Sequence, residues 1–159
     1  MNYRLILLRH GDAATDNATD HDRSLTKWGM VQAQTVSADI LGGGWLPEHC
    51  LSSTARRAEQ TAEWLSDTLP SMTRVTKGAL YLASFNKVIS VISGSNPTAA
   101  TLAVVGHNPG LSDLVFKLSG VWVVLGTANA ALLQQSVFAW SDLDASQGSW
   151  ELVQVLRPD

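Results

Sequence analysis

A single cysteine, Cys50, stands in a chain of 159 residues, which excludes an internal disulfide and any multi-cysteine zinc site. A lone thiol at the end of an apolar run is expected to pack as a small buried hydrophobe. No apolar run reaches the length of a membrane span. The first one, Leu5-Ile6-Leu7-Leu8, is too short for the core of a secretory signal and is followed by no small-residue cleavage site. These absences predict a soluble protein of a reducing compartment, cytoplasmic and without a membrane partner. Basic residues are also few. Seven arginines and four lysines face fourteen carboxylates, for a net charge of −3, and no basic stripe marks a nucleic-acid partner. The six tryptophans, at positions 28, 45, 64, 122, 140 and 150, are too scattered to stack successive bases.

What is present is ordinary globular material. Hydrophobic residues make up 45% and charged residues 16% of the chain, enough apolar side chain for a core without staples. Leu5 to Leu8 reads as a strand buried on both faces of a parallel sheet. A polar loop from Asp12 to Ser24 follows, holding four of the fourteen carboxylates. Thr26 is expected to cap a helix towards Leu41, ended by Gly42-Gly43-Gly44. Pro47 to Leu51 reads as a second strand, and Ser53 or Thr54 as the cap of a helix running to Leu69. Ala58, Thr61, Ala62 and Leu65 give that helix one inward stripe.

A third helix follows from Phe85, Val88, Ile89 and Ile92. Ala100 to Val105 is another central strand, ending at Gly106-His107-Asn108-Pro109-Gly110. Asn108 as cap and Pro109 as first helical residue predict a helix immediately afterwards. Two further strands are expected at Ala130 to Trp140 and Trp150 to Leu156. The alternation predicts one α/β domain over residues 1–159, a three-layer α/β/α sandwich with a mostly parallel central sheet.

Three predicted strand ends carry unusual residues: Arg9-His10-Gly11, Ser52-Ser53 with Arg57 beyond, and Gly106-His107. The carboxyl ends of strands in open α/β sheets form the ligand crevice. Two histidines and at least two arginines therefore converge on one mouth of an otherwise acidic protein. Guanidinium forks and a helix N-terminus suit phosphate oxygens. A neutral imidazole among them is a nucleophile towards phosphorus. Asp20-His21-Asp22 lacks further metal-ligand partners at suitable spacing and is expected to be a solvated loop. Arg23, beside it, is equally open to a local ion pair with Asp20 or Asp22.

Leu8-Arg9-His10-Gly11 resembles the signature of the histidine phosphatase superfamily, the phosphoglycerate mutase-like proteins. Asp22-Arg23-Ser24-Leu25-Thr26 with Gly29 resembles its second motif. Leu51-Ser52-Ser53 with Arg57-Ala58-Glu59-Gln60-Thr61-Ala62 resembles the third, and Val105-Gly106-His107-Asn108-Pro109-Gly110 the fourth. The nearest branch is that of the small SixA-like phosphohistidine phosphatases. The resemblance implies that His10 attacks phosphorus and is transiently phosphorylated. It implies that Arg9, Arg57, His107 and Arg23 hold the phosphoryl oxygens, with Gly11, Ser53 and Asn108 as candidate substrate-binding positions. No cofactor and no metal is implied. Thr127 lies where relatives place a threonine near the site, and Trp28 and Trp122 are candidates for the rim.

Branches of this superfamily that act on esters carry a carboxylic acid between the third and fourth motifs. Here Asp67 is followed by no Asp or Glu until Asp113. A phosphohistidine substrate needs less help, because a protonated imidazole leaves more readily than an alkoxide. The expected partner is accordingly a histidine-phosphorylated protein such as a phosphotransfer domain, with phosphate ion as product. The alternatives are small phosphate esters, with Asp12 or Asp22 as proton donor, and a domain that binds phosphate or phosphoprotein without turnover.

Overall fold

The computed structural model describes residues 2–16, 18–95, 97–136 and 138–158. Six strands form one sheet: β1 (Asn2–Arg9), β2 (His49–Ser53), β3 (Thr73–Lys77), β4 (Thr101–Gly106), β5 (Ala130–Ser136) and β6 (Glu151–Leu156). Their order is β3-β2-β4-β1-β5-β6. Parallel pairing joins β3 to β2, β2 to β4 and β4 to β1, whereas β5 runs antiparallel to both β1 and β6. The helices are α1 (Lys27–Gly42), α2 (Arg56–Thr68), α3 (Phe85–Ser95) and α4 (Gly110–Ser119).

The period of two along the strands sorts the core into halves. Leu5, Leu7, Leu51, Leu102 and Val104 pack with Val88, Ile89, Ile92, Leu111, Leu114 and Leu118 of α3 and α4. Ile6, Leu8, Cys50, Ala103 and Val105 face the other way, onto Val36, Ile40, Ala58, Ala62 and Leu65 of α1 and α2. The fold is therefore the expected three-layer α/β/α sandwich with a mostly parallel sheet. Cys50 lies fully buried, and burial pushes its thiol up to about 12. No helix of the described residues is long and apolar enough to cross a membrane.

Several local expectations need correction. β3 escaped notice because it is a polar edge strand, with four of its five residues exposed. The α2 cap is Ala55, not Ser53 or Thr54. The Ser53 hydroxyl accepts from the Ala55 N–H at 3.2 Å, two residues ahead of the cap position. The α4 cap is Pro109, not Asn108, and the Asn108–Pro109 peptide is cis. β2 starts at His49, after Pro47, which has no N–H to give a ladder. The strand expected to reach Trp140 stops at Ser136, and Trp140 opens a 3₁₀ turn to Ala145. Its indole N–H donates to the Ala99 carbonyl at 2.6 Å, and the ring packs in the core half that holds Val88, Ile89 and Ile92 of α3.

Close backbone approaches fix the loop that follows β1. A Cβ on Gly29 would stand 2.0 Å from the Asp12 carbonyl oxygen, and one on Gly11 would stand 2.7 Å from that of Gly29. The first turn of α1 thus lies directly on the segment that leaves β1, and Thr26 caps it by accepting from the Gly29 N–H at 3.0 Å. Gly29→Ala is expected to destabilise the protein by ~1–3 kcal/mol, the range for overpacking. A lowered urea midpoint reads this; an unchanged midpoint would mean that the Asp12 segment moves aside freely.

Candidate active site

β1 and β4 are neighbours in register, with Arg9 opposite Gly106, so the residues just beyond them, His10 and His107, emerge side by side. Their ring centroids lie 5.2 Å apart. β2 pairs with β4 on its other side and delivers Ser53 and the start of α2 to the same end of the sheet. A cavity of about 440 Å³ opens there, lined by Arg9, His10, Asp12, Ala13, Thr15, Asp20, Arg23, Arg57, Leu82, His107, Asn108 and Thr127. A larger groove of about 680 Å³, along α3 and α4, is lined by Phe85, Phe116, Lys117 and Trp122 among others and contains no histidine. His10, His107 and three arginines therefore gather in the smaller cavity.

Both ring nitrogens of His10 are assigned by their partners. Nδ1 lies 2.7 Å from the Gly11 carbonyl oxygen, which can only accept, so Nδ1 carries the proton. Nε2 receives the Arg57 Nε–H at 3.3 Å, so Nε2 holds the lone pair. Burial, reinforced by the charges of Arg57, Arg9 and Arg23, lowers the His10 pKa to about 4 despite the opposing Gly11 hydrogen bond. At neutral pH the ring is an uncharged imidazole with a lone pair facing a guanidinium. Such a group can attack phosphorus.

Arg57 is 3% exposed and reaches the cavity from the first turn of α2. Its NH1 donates to the Asp20 carbonyl at 2.7 Å and its NH2 to Asp20 Oδ2 at 3.1 Å. Arg23 gives NH1 to Asp20 Oδ1 at 2.9 Å and Nε to the Ala14 carbonyl at 2.7 Å. The Tyr81 hydroxyl donates to the same Asp20 carboxylate. Hydrogen bonds from Tyr81 and Arg23, then Arg57, hold the Asp20 carboxyl well below the usual carboxylate range. Arg23 consequently both lines the cavity and makes the local ion pair. Asp20 is no solvated bystander, as the sequence had suggested, but the meeting point of two arginines.

His107 is 4% exposed, and its Nε2 lies 2.8 Å from Ser53 Oγ. Burial first, then the neighbouring His10 and Arg57, lowers its pKa to about 3. Among the described residues that line the cavity, two buried side-chain nitrogens lack a partner, His107 Nδ1 and Arg9 Nε. The rest of the Arg9 guanidinium is anchored by NH1 to the Leu125 carbonyl at 3.0 Å. Arg9 Nε–H can only donate, and an unpaired buried donor is costly.

The other candidates fare unequally. Ser53 lies beneath His107 and does not line the cavity. Gly11 gives its N–H to Thr61 Oγ1 at 3.0 Å, so this amide is already engaged. Asn108 lines the cavity, but its amide donates to the Leu125 carbonyl at 2.6 Å and accepts from Ser112 Oγ at 2.7 Å. Asp12 lines the cavity with Oδ2 bound by the Thr26 hydroxyl at 2.7 Å. Asp22 lies outside the cavity with its side chain 71% exposed, which corrects its candidacy as proton donor. Thr127 is in place, receiving Gln32 Nε2 at 3.0 Å. Trp28 and Trp122 are exposed and absent from the lining, which corrects their assignment to the rim. Asp20 and Tyr81 were missed as contributors. Among the described residues, no group of three or more His, Cys, Asp or Glu is gathered to hold a metal ion.

Comparison with known proteins bears on the family and the fold. The sequence model of the histidine phosphatase superfamily (branch 1) matches residues 5–79. An uncharacterized chloroplastic protein of Arabidopsis thaliana is 34% identical over 98% of this chain and 78% of its own length. Phosphohistidine phosphatase SixA of Escherichia coli (strain K12) is 31% identical over 72% of this chain and 73% of its own. The structure of the protein histidine phosphatase SixA complexed with tungstate superposes with a TM-score of 0.79 at 27% identity, over 98% of this chain and 97% of that one. A candidate SixA from Nakamurella multipartitia superposes at 0.88 and 25% identity, over 99% and 97% of the two chains.

The lowered pKa values of His10 and His107 tie stability to pH. Between the folded values, about 4 and about 3, and the ordinary value near 6.5, the unfolded chain binds more protons than the folded one. This contribution to stability is complete above pH ~6.5 and drains away as pH falls through about 4 for His10 and about 3 for His107, by on the order of a few kcal/mol for the pair. The melting temperature should therefore fall from pH 7 to pH 4.5, and fall less in a His10→Gln/His107→Gln variant. Equal slopes for the two proteins would contradict the buried, neutral assignment.

Proposed function

The chain belongs to the histidine phosphatase superfamily and is a phosphatase, and we propose that it removes phosphate from phosphohistidine on another protein, with His10 as nucleophile. The observation that carries this reading is the state of the pocket's carboxylates. Asp20 is held ionised between Arg57 and Arg23, and Asp12 has Oδ2 engaged by the Thr26 hydroxyl. A pocket so furnished is ill-equipped to protonate a departing alkoxide, yet it suits a leaving group that departs as neutral imidazole.

The proposed course follows from the residues. The phosphoryl group enters among Arg9, Arg23, Arg57 and His107, which line the cavity. A phosphoryl oxygen seated between the two side chains takes over the Arg57 Nε–H from His10 Nε2, which frees the lone pair without moving the guanidinium. Nε2 then attacks phosphorus in line, and the P–N bond to the substrate imidazole breaks. That ring leaves neutral when its second nitrogen carries a proton. Water next attacks the phosphorus of phospho-His10. Because Nδ1–H stays on the Gly11 carbonyl, His10 in turn leaves as a neutral imidazole. Charge on the equatorial oxygens is met throughout by preplaced cations, and such preorganisation dominates catalysis of phosphoryl transfer.

Residues 1–159 work as one domain in this reading, and the substrate protein presents a phosphotransfer-type histidine to the mouth rimmed by Leu82, which is 57% exposed. Small phosphate esters are the competing substrates. Their case rests on Asp12, which lines the cavity beside His10.

Phosphate release from a phosphohistidine-bearing protein and from p-nitrophenyl phosphate, compared at equal enzyme concentration, separates the two. The expected result is a clear preference for phosphohistidine that disappears in His10→Ala. A preference for the ester would sink the substrate assignment and make Asp12 the next target. Arg57→Ala should lower kcat/KM by ~100- to 1,000-fold, the cost of losing one oxyanion-directed donor. A loss of less than ~10-fold in steady-state kinetics would remove Arg57 from the phosphoryl-binding set.

A further inference from the structure

The Asp20 carboxylate gathers two arginines and a tyrosine while its own side chain remains 47% exposed. Arg57 is only 3% exposed, so Asp20 offsets a buried charge as well as fixing its direction. Asp20 occupies both terminal nitrogens of Arg57, NH1 through its backbone carbonyl and NH2 through Oδ2. A planar guanidinium held at two points cannot swing. The third edge, Nε, is thereby directed to His10 Nε2. The turn that carries Asp20 is itself pinned: His21 Nε2 lies 2.9 Å from Thr54 Oγ1, and the His21 ring meets Tyr81 edge-on at 4.8 Å. Tyr81 closes the arrangement by donating to the same carboxylate oxygen that receives Arg57.

We propose that Asp20 is a positioning residue, which aims the Nε edge of Arg57 at the nucleophile and offsets the arginine charge so that product phosphate can depart. The proposal rests on the phosphatase reading of the site and adds a residue to it. Arg9, Arg23 and Arg57 would otherwise place three uncompensated cations around a dianionic product. Removing the carboxylate has two effects of different sign. The loss of one negative charge strengthens the attraction for any oxyanion in the cavity. The release of Arg57 from its two anchors lets the guanidinium wander, so less of it faces the transition state.

The two effects give a signature that damage to the loop does not share. Asp20→Asn should bind inorganic phosphate roughly threefold to tenfold more tightly by titration calorimetry and lower kcat roughly tenfold, with KM reduced or unchanged. Asp20→Glu should return phosphate affinity to near the parent value and recover part of kcat. Tyr81→Phe keeps the charge but loosens the carboxylate, and should lower kcat while leaving phosphate affinity unchanged. Weaker phosphate binding in Asp20→Asn, or an unchanged kcat, would overturn the proposal. If the parent protein turns over neither phosphohistidine nor p-nitrophenyl phosphate, the catalytic reading fails separately. The phosphate affinities of parent and Asp20→Asn then decide the role of Asp20 by themselves, tighter binding supporting it and weaker binding refuting it.

Discussion

The hydrogen bond between His10 Nδ1 and the Gly11 carbonyl, 2.7 Å long, is the constraint from which the chemistry of this site follows. It spans one peptide unit, so it survives any motion that leaves the end of β1 intact. A carbonyl oxygen can only accept, and the proton is thereby confined to Nδ1. Nε2 is left as the sole lone pair, and burial keeps the ring neutral enough to use it. The same bond governs the second half of the proposed cycle, because a ring that keeps its Nδ1 proton is a neutral leaving group.

The fold serves this small arrangement by bringing distant chain segments to one end of the sheet. Parallel pairing of β1 with β4 sets two histidines, 97 positions apart in the sequence, with their rings 5.2 Å apart. Pairing of β2 with β4 puts Ser53 beneath His107 and aims the first turn of α2 across the mouth. Gly11 and Gly29 let α1 press against the loop behind His10, where Thr61 and Gln32 take the backbone N–H groups of Gly11 and Asp12 at 3.0 and 2.9 Å. The wall that results leaves the buried Arg9 Nε and His107 Nδ1 without partners, in a protein whose overall charge is negative. Local convergence of scarce arginines, not bulk charge, gives the cavity its cations.

Much of this was legible in the sequence, and the exceptions have physical causes. The continuous apolar runs of β1 and β4 announce strands buried on both faces, and the histidines that end them follow directly. β3 gives no such signal, because an exposed edge strand of Thr, Arg, Val, Thr and Lys has no apolar period. The role of Asp20 could not be read locally, since Arg57 and Tyr81 stand 37 and 61 positions away. Local pattern presented it as one more acid in a polar loop. Asn108 misled in the opposite way. Its residue type and the following proline suit a helix cap, yet its side chain ties the Leu125 carbonyl to Ser112 instead. Asp22 was indistinguishable from Asp20 by type and setting; only the turn geometry sends one carboxylate to the cavity and the other to solvent.

The central claim is that Nε2 of His10 takes up the phosphoryl group while Nδ1 stays protonated against Gly11. Rapid acid-free quenching of the enzyme with phosphorylated substrate, followed by peptide mass spectrometry and phosphorus NMR, tests it most directly. The account predicts a phosphoramidate on the peptide containing His10, attached at Nε2. Phosphate on Nδ1, on His107 or on no residue of the turning-over enzyme would contradict it.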